Sequence, residues 1–126
     1  MSMRLFAYGT LRAGLAPPEI AEAVARLQPL GKGAARGRLY DLGAYPGAVF
    51  ALAGNETAVD IEGEVYEVPD AGTLRRLDAY EGFEADNPDT SLFIRRQIEV
   101  RMVGDGESVG CWAYEYNWPV EGMAAW

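Results

Sequence analysis

Alternation of apolar and polar side chains predicts most of the strands of this chain. Val59, Ile61 and Val65 fall on one face of a short segment, and the even positions between them are acidic. This period of two is the pattern of a half-buried strand. Ile94, Ile98, Val100 and Met102 likewise share a face of a long strand. The glycine-rich turn at residues 104–107 then leads into a returning strand with Trp112, Tyr114 and Tyr116 on one side.

Shorter apolar segments predict three more strands. Residues 3–8 are apolar and end at Gly9, which is typical of a buried strand. Small, basic and apolar residues alternate over residues 31–40, and a turn-rich segment separates them from a short strand at residues 48–52.

Two segments have the 3.6-residue spacing of helices. Ile20, Val24 and Leu27 define an apolar stripe after a proline pair, and Pro29 ends this helix. The second helix is predicted over residues 71–81, with Leu74 and Leu77 on its buried side and Gly82 as its stop.

About six strands and two short helices, with adjacent strands often antiparallel, predict an α+β fold in which the sheet curls into a barrel. At 126 residues, the chain has the length of a single domain, which we assign to residues 1–126.

The charge balance disfavours whole classes of partner. The net charge is −8, with 11 basic residues against 19 acidic ones, and the basic residues do not cluster. Nucleic-acid binding depends on clustered Lys and Arg, so no nucleic-acid partner is expected. No apolar run has the length of a membrane-spanning helix, and no signal peptide is visible. We therefore expect a cytoplasmic protein without a membrane partner, whose oligomeric state the sequence does not predict.

The absence of histidine limits the chemistry of the chain. With no His and a single Cys, the chain lacks the usual zinc ligands and any Cys/His nucleophile pair. Cys111 lies in an apolar strand and is interpreted as a core residue. No cofactor and no metal site are predicted; an Asp/Glu magnesium site stays open as an alternative, but the sequence carries no signature of one. Acid/base chemistry falls to Asp, Glu, Tyr or the single lysine.

Glu81 is the candidate acid/base residue. It lies four residues after Leu77 and seven after Leu74, on the apolar side of the second helix. Two interpretations fit a carboxylate in this position. It pairs with a buried arginine, for which Arg95 and Arg96 are candidates, or its pKa is raised by desolvation toward the working pH of a general base.

The turn after the first strand is the candidate binding site. Successive backbone N–H groups of Gly9, Thr10 and Leu11 can form a concave nest for a carboxylate or a developing oxyanion. The plainer interpretation is a strand connection, with Tyr8 as a core residue. Because the turn lacks the lysine and remaining glycines of a P-loop, phosphate binding is not expected.

Six segments together resemble the γ-glutamylcyclotransferase-like family, and the likeness covers nearly the whole chain. They are FAYGTLR at residues 6–12, GRLYDLGAYPG at 37–47, VDIEGEVYEV at 59–68, LDAYEGF at 77–83, LFIRR at 92–96 and CWAYEYN at 111–117. One departure is Phe93, since many relatives have tyrosine at this position. The resemblance implies an α+β fold, a small mixed β-barrel flanked by short helices, with a cavity lined by the YGTL-type loop and an acidic residue.

The resemblance also implies a reaction and its residues. Tyr8, Gly9, Thr10 and Leu11 would hold a small γ-glutamyl substrate, and Glu81 would be the acid/base. The α-amine of the substrate would attack its own γ-carbonyl, releasing 5-oxoproline and an amine without a metal or an enzyme nucleophile. The alternative is a non-catalytic small-ligand binding protein on the same barrel, in which Glu81 pairs with an ammonium or an arginine.

Overall fold

The computed structural model describes residues 3–8, 18, 20–43, 46–50, 58–84, 86–120 and 122–125. Within these ranges, the elements in chain order are β1 (Met3–Ala7), α1 (Ala21–Ala25), β2 (Gln28–Asp41), β3 (Pro46–Phe50), β4 (Val59–Val68), α2 (Ala71–Glu81), a single 3₁₀ turn (Pro88–Thr90), β5 (Phe93–Met102) and β6 (Ser108–Tyr116). None of the described helices is long and apolar enough to cross a membrane.

Five of these strands close into a barrel. The order is β2-β4-β1-β6-β5, and β5 pairs back onto β2 through Gly33 with Met102 and Ala34 with Arg101. The described pairings are antiparallel except that of β1 with β6, which is parallel. The predicted small mixed barrel with two short helices is therefore confirmed. The sixth strand, β3, lies outside the ring and pairs with the far half of β2.

Two apolar clusters lie on the two sides of the barrel wall. The barrel interior contains Phe6, Ala35, Ala48, Phe50, Ile61, Val65, Val100, Cys111 and Ala113. The helix-side core lies between the strands and the helices and contains Leu5, Ala7, Tyr66, Leu74, Leu77, Phe93 and Tyr114, among others. Side chains alternate between the two clusters along β1 and β6, because successive residues of a strand point to opposite faces. The prediction that Cys111 is a core residue is confirmed.

The second helix follows the sequence prediction closely. Asp70 caps its first turn by accepting a hydrogen bond from the Thr73 N–H at 2.7 Å. Gly82 ends it with φ of 73°, in the left-handed region that glycine adopts without strain. Leu74 and Leu77 are buried, as their spacing predicts. Glu81 is the last residue of the helix, directly before the Gly82 cap. Its position on the helix therefore follows from the apolar stripe and the cap.

The first helix is shorter than its spacing predicts. It ends at Ala25, and Pro29 lies inside β2, which begins at Gln28. Proline is tolerated there because the register of β2 against β4 shifts between Pro29 and Gly31, so the missing N–H falls at an irregular point of the ladder. The short strand begins two residues earlier than predicted, and residues 51 and 52 of that prediction lie outside the described ranges.

Gly63 of β4 lies in tight contact with the end of β1 in the barrel wall. A Cβ at this position would meet the carbonyl oxygen of Ala7 and two ring carbons of Phe6 at 2.8 Å. Gly63→Ala should lower the free energy of unfolding by about 1–3 kcal/mol, the usual cost of overpacking, as measured by urea denaturation. Gly104→Ala is the control, because a Cβ there meets nothing within 4 Å. Equal urea midpoints for the two variants would contradict this packing.

Candidate functional site

The candidate site lies at the carboxyl-terminal ends of β1 and β6. Their parallel pairing places Leu5 beside Trp112, and the C-terminal ends of both strands point toward the same end of the barrel. Tyr8 directly follows β1, while Tyr114 and Glu115 lie near the end of β6. The last turn of α2 packs against the same region through Asp78, as described below.

Among the described residues, the hydroxyl of Tyr8 has two hydrogen-bond partners. It donates to the carbonyl of Tyr114 at 2.6 Å and accepts from the N–H of Ala48 at 3.2 Å. The Tyr8 ring also packs edge-on against Phe50, with 5.9 Å between centroids. Burial raises the pKa of the phenol well above its ordinary value, and the charges of Glu81 and Glu115 raise it further. Tyr8 therefore remains a neutral phenol at physiological pH.

Glu81 is a desolvated carboxyl group. The residue is half-buried, and burial raises its pKa from 4.5 to about 7. Its charge in turn contributes to the raised pKa of the Tyr8 and Tyr114 phenols, so the carboxylate lies within electrostatic range of both. A carboxyl group that titrates near neutrality can both accept and donate a proton at the working pH.

The two arginines considered as partners of Glu81 have other partners. The Arg95 Nε lies 2.9 Å from an oxygen of Asp78, and the Arg96 Nε lies 3.3 Å from an oxygen of Glu115. No ion pair reaches Glu81 among the residues that the structure describes. Of the two interpretations of Glu81, these residues favour the desolvated carboxyl.

Asp78 is a site residue that sequence reasoning missed. Its buried Oδ1 accepts hydrogen bonds from the Tyr114 hydroxyl at 2.7 Å and from the Arg95 Nε at 2.9 Å. The guanidinium of Arg95 also lies over the Trp112 ring, 4.4 Å from its centroid. Because Asp78 precedes Glu81 by one helical turn, these bonds fix the end of α2 to β5 and β6. The available signal was its place four residues after Leu74, on the buried stripe.

Glu115 is the second residue that was missed. It is 6% exposed, and its Oε2 accepts the N–H of Phe50 at 2.7 Å. The signal was the alternation of β6, since Trp112, Tyr114 and Tyr116 on one face leave Glu115 on the other face with Cys111 and Ala113.

The predicted backbone nest lies outside the described residues. Gly9, Thr10 and Leu11 fall in the range 9–17, so their role stays a prediction. Within the described ranges, no three acidic or cysteine side chains converge as a set of metal ligands.

Comparison with known proteins gives both a family and a fold. The sequence profile of the family described as gamma-glutamyl cyclotransferase, AIG2-like, matches residues 5–125. Among curated proteins, none matches the chain. An AIG2-like protein from Mus musculus is 26% identical with a TM-score of 0.72, and the match covers 98% of this chain and 85% of that one.

Two further solved structures are similar. An uncharacterised protein from Pyrococcus horikoshii is 25% identical with a TM-score of 0.60, over 97% of this chain and 84% of its own. A protein specific to uropathogenic E. coli is 22% identical with a TM-score of 0.66, over 99% of this chain and 87% of its own, and at this identity shows the fold alone.

The raised pKa of Glu81 predicts how stability depends on pH. The folded protein holds this proton up to about pH 7, whereas the unfolded chain releases it near 4.5. Between these values the folded state binds more protons, so this group lowers the free energy of unfolding as the pH rises. Glu81→Gln cannot titrate. The difference in unfolding free energy, variant minus wild type, should therefore increase by about 1–3 kcal/mol from pH 4.5 to pH 7.5. This range follows from about 1.4 kcal/mol per pKa unit.

Urea denaturation at several pH values measures this difference, with Glu84→Gln as a control that removes an exposed carboxylate close by. A constant difference between Glu81→Gln and wild type across this range would contradict the desolvation of Glu81.

The Asp78 network predicts a graded loss of stability. Asp78→Ala leaves the guanidinium of Arg95 and the hydroxyl of Tyr114 without their acceptor, so it should cost about 3–5 kcal/mol. Tyr114→Phe removes one of the two hydrogen bonds and should cost about 1–2 kcal/mol. The measurement is denaturant unfolding, and Asp86→Ala, an exposed acid, is the control. A Tyr114→Phe protein less stable than Asp78→Ala would contradict this order.

Proposed function

Because this chain belongs to the gamma-glutamyl cyclotransferase, AIG2-like family, we propose that it cleaves a γ-glutamyl amide and releases 5-oxoproline and an amine. The observation that carries the proposal is Glu81, a desolvated carboxyl with a pKa of about 7 that ends α2 within electrostatic range of the Tyr8 phenol. The family match over residues 5–125 supports the reaction class, and the substrate is our inference.

The substrate supplies its own nucleophile in this reaction. The α-amine attacks the γ-carbonyl carbon, a five-membered ring closes, and the bond to the leaving nitrogen breaks. Holding the amine and the carbonyl in a bent conformer uses the high effective molarity of intramolecular reactions, which reaches about 10⁵ M or more. Neither an enzyme nucleophile nor a metal is required for these steps, which suits a chain without histidine.

Glu81 would carry the protons. As a carboxylate it removes a proton from the substrate ammonium, and as a carboxylic acid it returns one to the leaving nitrogen. A pKa of about 7 makes both forms available near neutral pH. An ordinary glutamate, ionised above pH 5, would be a weak proton donor to the leaving group.

The glycine turn would bind the carbonyl oxygen. We propose that the backbone N–H groups of Gly9, Thr10 and Leu11 stabilise the oxyanion that forms as the amine attacks. Tyr8 supports this role by its place directly before the turn, where its hydroxyl is bonded to β3 and β6.

A non-catalytic binding protein is the second candidate. Phe93 favours it, because this residue is buried in the helix-side core and packs edge-on against Tyr116 at 5.8 Å where many relatives carry a hydroxyl. In that case Glu81 would pair with the ammonium of a bound ligand and no amide bond would break. A panel of γ-glutamyl amino acids, γ-glutamyl-ε-lysine and γ-glutamyl alkylamines, scored for release of 5-oxoproline, separates the two candidates.

Glu81→Gln tests the assigned residue. This nearly isosteric variant should keep the fold and lower turnover of the best panel compound by about 10² to 10⁴, the usual worth of a positioned acid/base. The wild-type kcat/KM should rise with pH through a limb near 7, since only the ionised carboxyl accepts the proton. The residual rate of the variant should lack that limb.

Glu84→Gln is the matched control and should keep both the rate and the limb, because its carboxylate is exposed beyond the helix. Wild-type rates in the Glu81→Gln protein would refute the assignment of Glu81. Binding without any 5-oxoproline from the wild type would favour the second candidate.

A further inference from the structure

The outer edge of β3 is bound by side chains in place of a neighbouring strand. Among the described residues, β3 pairs with β2 alone, and it ends the strand order on that side. The N–H groups of Ala48 and Phe50 turn away from β2. The Tyr8 oxygen accepts the first at 3.2 Å, and the Glu115 Oε2 accepts the second at 2.7 Å. Two side chains from two barrel strands thus bind alternate donors of one edge.

Glu115 is a carboxylate buried among apolar side chains. It lies on the face of β6 that carries Cys111 and Ala113 into the barrel interior, and 6% of it is exposed. Burying a carboxylate is unfavourable unless it is paired and hydrogen-bonded. Arg96 supplies a cation at 3.3 Å from the outer, half-exposed side, and the Phe50 N–H binds the other oxygen.

Tyr8, directly after the neighbouring strand β1, binds the same edge. Its one hydroxyl proton is donated to the Tyr114 carbonyl at 2.6 Å, so the phenol connects the carboxyl-terminal ends of β1 and β6 with β3. Its ring and that of Phe6 both lie against Phe50, at 5.9 and 6.4 Å between centroids. Tyr8 is also one of the predicted substrate-binding residues, so a shift of β3 would displace a group of the candidate site directly.

We propose that Glu115 and the Tyr8 hydroxyl are positioning residues, which hold β3 across the end of the barrel beside the Tyr8 phenol and thereby shape the place where the substrate binds. Neither group transfers a proton. The hydrogen bonds to Ala48 and Phe50 are the evidence that these side chains hold β3. The consequence for substrate binding rests on the proposed function.

Two substitutions of Glu115 separate geometry from charge. Glu115→Gln keeps an oxygen that accepts the Phe50 N–H and should leave KM for the best panel compound within about threefold of the wild type. Glu115→Ala removes the acceptor and should raise KM about tenfold or more, the order expected for a lost hydrogen bond to a charged group. The acid limb of kcat/KM near pH 7 should stay in place in both variants. Glu62→Ala, an exposed acid of β4, is the control.

Tyr8→Phe gives a second, milder test if Glu115→Ala folds poorly. It removes a single oxygen and should raise KM with the acid limb unchanged. Its effect should not add to that of Glu115→Ala, because both act on β3. Loss of kcat in Tyr8→Phe or in Glu115→Gln on the scale of Glu81→Gln would overturn the inference, since it would make that group a proton carrier. A lowered unfolding midpoint in Glu115→Ala with unchanged KM would overturn it as well.

Amide hydrogen exchange gives a measurement that does not depend on activity. The Phe50 amide should lose protection in Glu115→Ala and keep it in Glu115→Gln, and the Ala48 amide should lose protection in Tyr8→Phe. Persistent protection of Phe50 in a folded Glu115→Ala protein would overturn the inference. A wild type that releases no 5-oxoproline would instead refute the proposed function, while the exchange data still decide whether these side chains hold β3.

Discussion

The parallel pairing of β1 with β6 is the constraint on which the site depends. In an antiparallel pair the end of one strand lies beside the start of the next. A parallel pair brings two carboxyl-terminal strand ends to the same edge. Here that edge receives Tyr8 from β1 and Tyr114 and Glu115 from β6. At that edge the Tyr8 hydroxyl joins the two strand ends by donating to the carbonyl of Tyr114.

Glu81 and Asp78 lie within one helical turn of each other and have opposite effects on the stability of the folded protein. Desolvation of Glu81 destabilises the ionised folded protein, as its raised pKa indicates. Asp78 has two hydrogen-bond donors and an arginine partner, so the same turn is anchored to β5 and β6. The hydrogen bonds of Asp78 thus hold the helical turn that carries the desolvated Glu81, and the fold can keep that carboxyl group in an unfavourable environment.

The sequence predicted the features that depend on residues close together along the chain. It missed those that depend on residues far apart. The bounds of α2, its glycine stop and the inward side of Glu81 follow from contacts within a few residues, and a period of 3.6 encodes them directly. The partners of Asp78 and Glu115 lie far away. Tyr114 is 36 residues from Asp78, and Phe50 is 65 residues from Glu115. Burial of these two acids was readable from their stripes, but their donors depend on how the barrel closes. The nest at Gly9 to Leu11 remains a prediction.

The side chains that bind the edge of β3 also affect how copies of this protein meet one another. An edge strand with free N–H groups is a template on which a second chain can add a strand, the first step toward aggregation. On β3 the Ala48 and Phe50 donors are already occupied by a phenol and a carboxylate. The groups that shape the opening of the barrel thus also oppose edge-to-edge association.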